Sequence, residues 1–316
     1  MTTRSIRRLA LTGGTGFVGG RIIAAALEKG IDVAALARSP SKLMGFEDRI
    51  DIVTGGLGDD EALRRLVAGA DVLINCAGLT HALTPADFQR VNVDGALGAA
   101  KAAAEAGAFF VQISSMAARE SAVSPYAKSK RLSEDAARDG SGDNPWISLR
   151  LPAIYGPADQ ATLSLFKMVK AGIAPEPATP SPARASILHV DDVAAAIICA
   201  AQEAPPGDVY EIGDDQPDGH AWRDIGAALA GAMGRKVWAF RAPRFLMEAQ
   251  ALMGEAWGRL RGEAAFVSRG KVAEFFHPDW VARDNLLSAH TSWTATTSLA
   301  EGFAKTLRWY QEEGSL

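Results

Sequence analysis

The sequence predicts an α/β protein, built on a doubly wound parallel sheet and completed by a smaller, discontinuous C-terminal lobe that holds the substrate. Three observations carry this. Over the first two-thirds of the 316 residues, short β-rich runs alternate with longer helical patterns, the signature of stacked βαβ units. A glycine-rich segment, LALTGGTGFVGG (9–20), joins the first such run to the first helical one. After Tyr155 the alternation breaks down, as expected where a second lobe is added in pieces. At 48% hydrophobic and 22% charged residues, the composition is that of an ordinary folded chain large enough for a full core.

Strands are predicted, in order, at 8–12, 32–36, 50–54, 72–76, 109–114 and 147–151. Helices are predicted between them at 16–29, 60–68, 84–106 and 125–139, all alanine- or leucine-rich at helical period. Prolines 175, 177, 180 and 182 make 171–182 a loop that cannot be a central strand. Strand character returns at 186–190 and helix at 191–202, where Asp191 and Asp192 read as an N-terminal cap. A short strand at 209–212 and helices near 222–233 and 243–260 follow. The tail, 297–312, is a helix with Leu299, Phe303, Leu307 and Tyr310 on one face. The expected division is 1–155 plus about 186–204 for the dinucleotide-binding domain, and 156–185 plus about 205–316 for the smaller lobe.

Several function classes drop out. A net charge of −4 offers no electrostatic footprint for nucleic acid. No apolar run approaches the roughly 18–20 residues that span a bilayer. Arg4, Arg7 and Arg8 precede an apolar stretch too short for a signal peptide, which reads instead as the first strand. Cys76 and Cys199 are too few for a disulfide framework or a metal site; no metal is expected, and the cytoplasm is the expected location.

The glycine segment is a dinucleotide fingerprint in its required context, after a strand and opening a helix. Together with the alternating pattern it makes the predicted fold Rossmann-type. Gly13 allows the tight turn, Gly16 lets backbone approach the pyrophosphate, and Gly19 packs helix against sheet. Thr15, Phe17 and Val18 complete the loop and the phosphate-binding helix end. At the end of the second strand, where an NAD site carries an acid, there is none from 33 to 46, and Arg38 stands in its place. A guanidinium there suits the 2′-phosphate of NADP, so NADP is preferred and NAD kept as the alternative.

Tyr126 and Lys130 are four residues apart, and on a helix they share a face. A lysine ammonium near a phenol favours the phenolate and makes the tyrosine a usable general acid or base. Ser115 closes the fifth strand at its carboxyl end, where a hydroxyl can orient and polarise a carbonyl.

With these in place the chain resembles an extended or atypical short-chain dehydrogenase/reductase, of the NAD-dependent epimerase/dehydratase-like kind. The matching segments are TGGTGFVG (12–19), NCAG (75–78), VNVDGALGAAKAA (91–103), ISS (113–115), YAKSK (126–130), LRLPAIYGP (149–157), LHVDDVA (188–194) and YEIGDD (210–215), spread over about residues 6–312. The resemblance implies that Tyr126 moves the proton, that Lys130 tunes it and holds the nicotinamide ribose, and that Ser115 positions the reacting oxygen. It further implies Asn92 supporting the site, Cys76, Ala77 and Gly78 lining the adenosine side, and Pro152, Ile154 and Tyr155 beside the nicotinamide. Family members often read GDL after the third strand, with the Asp on adenine; here Gly55-Gly56-Leu57 leaves that contact to backbone or absent. Also missing are the V-Y-G beyond the serine, where Met116 follows, and the phosphate-gripping arginine, with Arg184 displaced by one. Both losses argue against a nucleotide-sugar substrate. DGHAWRDI (218–225), GKVAEFFHPDW (270–280) and SLAEGFAKTLRWYQEEG (298–314) instead resemble the reductase and 3β-hydroxysteroid dehydrogenase-like branch.

The expected activity is therefore NADP(H)-dependent interconversion of a ketone or aldehyde and an alcohol on a small to medium apolar substrate. Thr80, His81, Met116 and Tyr155 are the candidate substrate contacts. The alternatives are a nucleotide-sugar epimerase or dehydratase with tightly held NAD, and a non-catalytic dinucleotide-binding subunit. His189 lacks a second ligand at metal spacing and reads as structural. The alanine-rich helices carrying Asn92 and Tyr126 suit the four-helix homodimer common in the family. Between Arg244 and Leu260, a stripe of Phe245, Ala249, Leu252, Met253, Ala256, Trp257 and Leu260 reads as core or lid packing in preference to a peripheral membrane contact.

Overall fold

The computed structural model describes residues 3–43, 45–46 and 48–316. The chain divides into two compact units. One runs to Leu151 and takes up Ala194–Ile212 and Asp284–Trp293; the other comprises Pro152–Val193, Gly213–Arg283 and Thr294–Leu316.

In chain order the first unit lays down β1 (Arg8–Thr12), α1 (Phe17–Glu28), β2 (Asp32–Ala37), β3 (Asp51–Thr54), α2 (Asp60–Val67) and β4 (Val72–Asn75). It continues with α3 (Pro85–Phe88), α4 (Gly95–Ala106), β5 (Phe109–Ser115), α5 (Pro125–Ser141) and β6 (Trp146–Leu151). The second unit supplies β7 (Ala153–Tyr155), α6 (Gln160–Lys170), β8 (Ile173–Pro177), β9 (Arg184–Ala185) and β10 (Ile187–His189), and α7 (Val190–Glu203) leads back to β11 (Asp208–Glu211) in the first.

Among the described residues, seven parallel strands form the main sheet in the order β11-β6-β5-β4-β1-β2-β3. The order reverses at β1, creating the switch point at whose carboxyl side open α/β sheets bind ligands. Both faces are covered, so the central strands are nearly continuous apolar runs: Leu9, Ala10 and Leu11 of β1 and Leu73 and Ile74 of β4 are fully buried. On one face Leu63, Leu66, Leu73 and Phe110 pack with Ala99, Ala100 and Ala103 of α4. Small residues let α4 and α5 close up, since a Cβ on Gly140 would stand 2.9 Å from Leu97 O.

The predicted helix 84–106 is helical from Pro85 to Ala106 but not regular. Thr84 and Asp87 form a capping box that starts α3, and the backbone then widens into a π-helical turn, Gln89–Asp94, before α4. Periodicity in alanine cannot register that extra residue per turn.

The predicted loop 171–182 also needs correction, because Ile173–Pro177 is β8. It pairs in parallel with β13 (Trp238–Ala242), which follows β12 (His220–Ala221) and α8 (Trp222–Ala232). Gly172 O accepts from Trp238 N–H and Ala178 N–H donates to Ala242 O, so the even-numbered residues face the ladder. Pro175 and Pro177 fall between them, where no N–H is required.

Helix α6 escaped the sequence reading. Its signal was present: Asp159 accepts from Thr162 N–H at 2.7 Å as a cap, ahead of Leu163, Phe166 and Val169. Asp191 and Asp192 lie within the first turn of α7 rather than capping it, and Asp192 holds Thr296 Oγ1 and Thr297 N–H at 2.7 and 2.8 Å.

After β13 come α9 (Arg244–Arg261), α10 (Arg269–Phe275), β14 (Asp279–Trp280) and the tail helix α11 (Leu299–Glu312). Phe303, Leu307 and Tyr310 of α11 pack on Leu163, Phe166, Ile225 and Leu229. The large residues of the stripe expected to pack on α9 are not in a core: Phe245, Leu252, Met253, Trp257 and Leu260 are exposed, as is Leu246 beside them.

Candidate active site

The glycine loop leaves no room for side chains. Gly13 has φ +76°, and a Cβ there would stand 2.6 Å from Ala77 N. A Cβ on Gly19 would meet Gly13 O at 2.1 Å. Gly16 N–H donates to Gly13 O at 3.0 Å, and Gly16 itself occupies the cap position of α1. A glycine offers the helix no side-chain acceptor, so the N–H groups of the first turn are left to an anion. This cradle fits a dinucleotide pyrophosphate. Thr15 and Gly16 are exposed at its rim, while Phe17 and Val18 are half-buried in the first turn.

A buried polar chain braces the strand ends beneath it. Thr12 Oγ1 donates to Asn75 Oδ1 (2.6 Å) and accepts from Ala77 N–H (3.1 Å). Asn75 Nδ2 donates to Gln112 Oε1 (2.8 Å), tying β1, β4 and β5 together at one level. Thr12, Asn75 and Gln112 were not singled out from sequence. Their signal is a polar residue at the matching level of three otherwise apolar strands.

Helix α5 starts with Ser124 accepting from Ala127 N–H (2.9 Å) and proline at its first position, a firm start one turn ahead of the lysine. Lys130 is only 7% exposed, and its Nζ donates to Ile113 O at 2.7 Å. A Cβ on Gly78 would lie 3.6 Å from that Nζ, so the ammonium sits between the end of β5 and the turn after β4. Ser115, two residues beyond Ile113, ends β5 partly exposed and accepts from Ala117 N–H at 3.2 Å. Tyr126 is partly exposed, its ring 6.1 Å from that of Phe88. Ser115 and Lys130 are thus fixed to one strand end, and Tyr126 lies one turn from Lys130 on α5.

Asn92, carried inward by the π-helical turn, spends its amide on protein. It accepts from Leu79 N–H (2.7 Å) and donates to Leu79 O (3.0 Å) and Ser129 Oγ (2.8 Å). It therefore joins the loop after β4 to α5, a positioning role rather than an open contact.

A second network sits under the same strand ends. Arg150 forks onto Glu134 through Nε and Nη2, both at 2.9 Å, and Ser114 Oγ donates to Glu134 Oε1 at 2.6 Å. Arg150 also meets Glu211 at 3.5 Å, and Arg119 meets Glu211 at 3.7 Å. Burial alone pulls the Arg150 guanidinium down, but Glu134 and Glu211 together hold it above its ordinary value. Sequence reasoning did not find this network, whose members lie on α5, β5, β6, β11 and the 3-10 turn after β5 and share no motif.

The remaining candidates separate clearly. Arg38 is exposed just beyond β2, its stem near Gly56, and meets no carboxylate among the described residues. Leu57 turns its side chain onto Gly95, so only its backbone is left for a ligand. Cys76 and Ala77 border the glycine turn, and burial pushes the Cys76 thiol up to about 11 despite nearby Lys130. Thr80 Oγ1 bonds His81 Nδ1 (2.9 Å) in the exposed loop after β4. Met116 and Tyr155, the other candidate substrate contacts, are buried at 3% and 2% exposed. Tyr155 belongs to the core of the second unit, its ring 4.6 Å from Phe303 and its hydroxyl where a Gly302 side chain would be. Pro152 and Ile154 also lie in the second unit, Ile154 pairing with Leu188. His189 is buried there, its Nδ1 accepting from Asp191 N–H at 3.3 Å.

Comparison with known proteins agrees with this architecture. The sequence model of the NAD dependent epimerase/dehydratase family matches residues 9–213. The chain is 37% identical over 321 residues to a ceramide reductase of Caulobacter vibrioides, covering 100% of this chain and 98% of that one. It is 26% identical to a 3-beta-hydroxysteroid dehydrogenase of Mycolicibacterium neoaurum, over 79% of this chain and 76% of the other. Among solved structures it is similar to the UDP-glucose 4-epimerase of Thermotoga maritima, with TM-score 0.73 and 16% identity, covering 97% of this chain and 99% of that one. That likeness is one of fold.

Proposed function

We propose, because this chain belongs to the NAD dependent epimerase/dehydratase family, that its cofactor serves a net reduction: an NADPH-dependent conversion of a ketone to an alcohol on a ceramide-type lipid. The chain is an NAD(P)-dependent enzyme of the short-chain dehydrogenase/reductase type. The observation that carries the finer reading is the 37% identity to a ceramide reductase along the full length of both chains.

The glycine cradle and α1 would hold the pyrophosphate, with Arg38 at the adenosine ribose and Lys130 at the nicotinamide ribose. When bound, the nicotinamide supplies the hydride to the carbonyl carbon. Ser115 Oγ donates a hydrogen bond to the carbonyl oxygen and fixes its position. Tyr126 Oη delivers the proton to that oxygen as the alkoxide forms. Lys130, anchored on Ile113 O, keeps positive charge beside the phenolate left behind. Asn92 and the Glu134 network hold α5 against β5 throughout.

Incubation with NADPH and a panel of long-chain lipid ketones tests this. Ketone-dependent NADPH consumption is expected, and none with UDP- or dTDP-sugars. Interconversion of a sugar nucleotide with no net NADPH loss would favour the epimerase reading instead. The cofactor assignment has its own test. Arg38→Glu should raise KM for NADPH by about ten- to a hundredfold, the loss of roughly 1.5–3 kcal/mol from a charge-assisted contact, while KM for NADH stays level or falls. Equal changes for both cofactors would remove Arg38 from the 2′-phosphate.

A further inference from the structure

Helix α9 is amphipathic in the reverse sense. Its protein-facing side is made by Ala251 and Gly258, both buried, with Met247 against Val267, Val272, Phe275 and Phe276 of the α10 region. Its two acids lie outside the apolar face and are both paired: Glu248 with Arg244 (2.7 Å), and Glu255 with Arg269 (3.1 Å) and, more loosely, Arg259 (3.9 Å). The opposite face carries Phe245, Leu246, Leu252, Met253, Trp257 and Leu260, each more than half exposed, with Leu260 at 82%. At 3.6 residues per turn these fall within an arc of about 140°, which holds no charged residue. Arg259 and Arg261 border the arc on its two sides, and Arg261 lies over the Trp257 ring at 4.8 Å.

We propose that this face docks the protein on the surface of an anionic lipid bilayer. Six large apolar side chains on one exposed helical face exceed the scatter of a soluble surface and mark an interaction site. The charge pattern chooses the occupant. A second copy of this chain would bring the same arginine-bordered face, setting like charges against each other. Anionic headgroups complement the arginines, while the apolar arc enters the acyl boundary and Trp257 sits at the border between them. No helix of the described residues is long and apolar enough to cross a membrane, so α9 lies on the bilayer. The proposal does not depend on the reaction assigned above, because docking is read without turnover.

The test is co-sedimentation of the full chain with phosphatidylcholine vesicles and with mixed phosphatidylcholine/phosphatidylglycerol vesicles. Binding to the mixed vesicles that weakens with added salt is expected. Met253→Gln/Trp257→Gln/Leu260→Gln should weaken it at least about tenfold. Arg259→Glu/Arg261→Glu should remove the phosphatidylglycerol dependence. All substituted positions are exposed, so thermal unfolding of both variants should match the parent. Absence of vesicle binding, equal binding to both vesicle types, or an unaffected apolar variant would each overturn the proposal. So would a dimer in sedimentation velocity that the apolar variant converts to monomer without any lipid binding.

Discussion

Tyr126→Phe should lower kcat on the best ketone by about 10²–10⁴-fold, the usual contribution of a positioned general acid. The change deletes one oxygen. The ring keeps its place beside Phe88, and α5 keeps its Ser124 cap and its Lys130–Ile113 anchor. NADPH affinity and thermal unfolding should therefore stay as in the parent. Ser115→Ala should lose less, because it removes an orienting hydrogen bond and leaves the proton donor in place. Turnover by Tyr126→Phe equal to that of the parent would remove Tyr126 from the chemistry.

Glu134→Ala should destabilise the fold by about 3–5 kcal/mol, read as a lowered midpoint in urea. The Arg150 guanidinium is mostly buried, and the substitution leaves it without its fork and Ser114 without its acceptor. Replacing both partners, as Glu134→Leu/Arg150→Met, should recover most of that loss, because it removes along with the bond a buried charge that the single variant leaves to Glu211 alone, 3.5 Å away. Glu211 would still hold Arg119 and accept from Asp284 N–H at 3.1 Å. If the single and double variants unfolded at the same urea concentration, the fork would not be what makes Glu134 matter. A loss under about 1 kcal/mol for Glu134→Ala would say that the network is not a brace at all.

The sheet was legible because its strands are local signals. A strand buried on both faces is a short apolar run, and β1 to β6, the partly exposed edge strand β3 included, each stand within a residue or two of the predicted runs. The glycine turn was legible for a stronger reason. Gly13 and Gly19 occupy positions that exclude any Cβ, so geometry writes itself into residue type. Features that depend on distant partners left no such trace. The Thr12–Asn75–Gln112 chain and the Glu134–Arg150–Glu211 network are assembled by strand register, which sequence spacing does not contain. Proline in β8 misled because its effect depends on which side of the strand the ladder lies. The packing of Tyr155 on Phe303 was equally hidden, because a residue that ends a strand motif can turn into the core as readily as toward a ligand. Helix α9 shows a further limit: periodicity finds the apolar face but not the direction in which it points.

The central claim is net reduction at the carboxyl end of β5, and a labelled cofactor addresses it most directly. NADPH carrying deuterium at the transferable C4 position would be given to the protein with a ceramide-type ketone. The account predicts one deuterium on the carbinol carbon of the alcohol for each NADPH consumed, and a rate that falls with Tyr126→Phe. NADPH left unconsumed, with the label absent from any lipid product while a sugar nucleotide is epimerised, would contradict it.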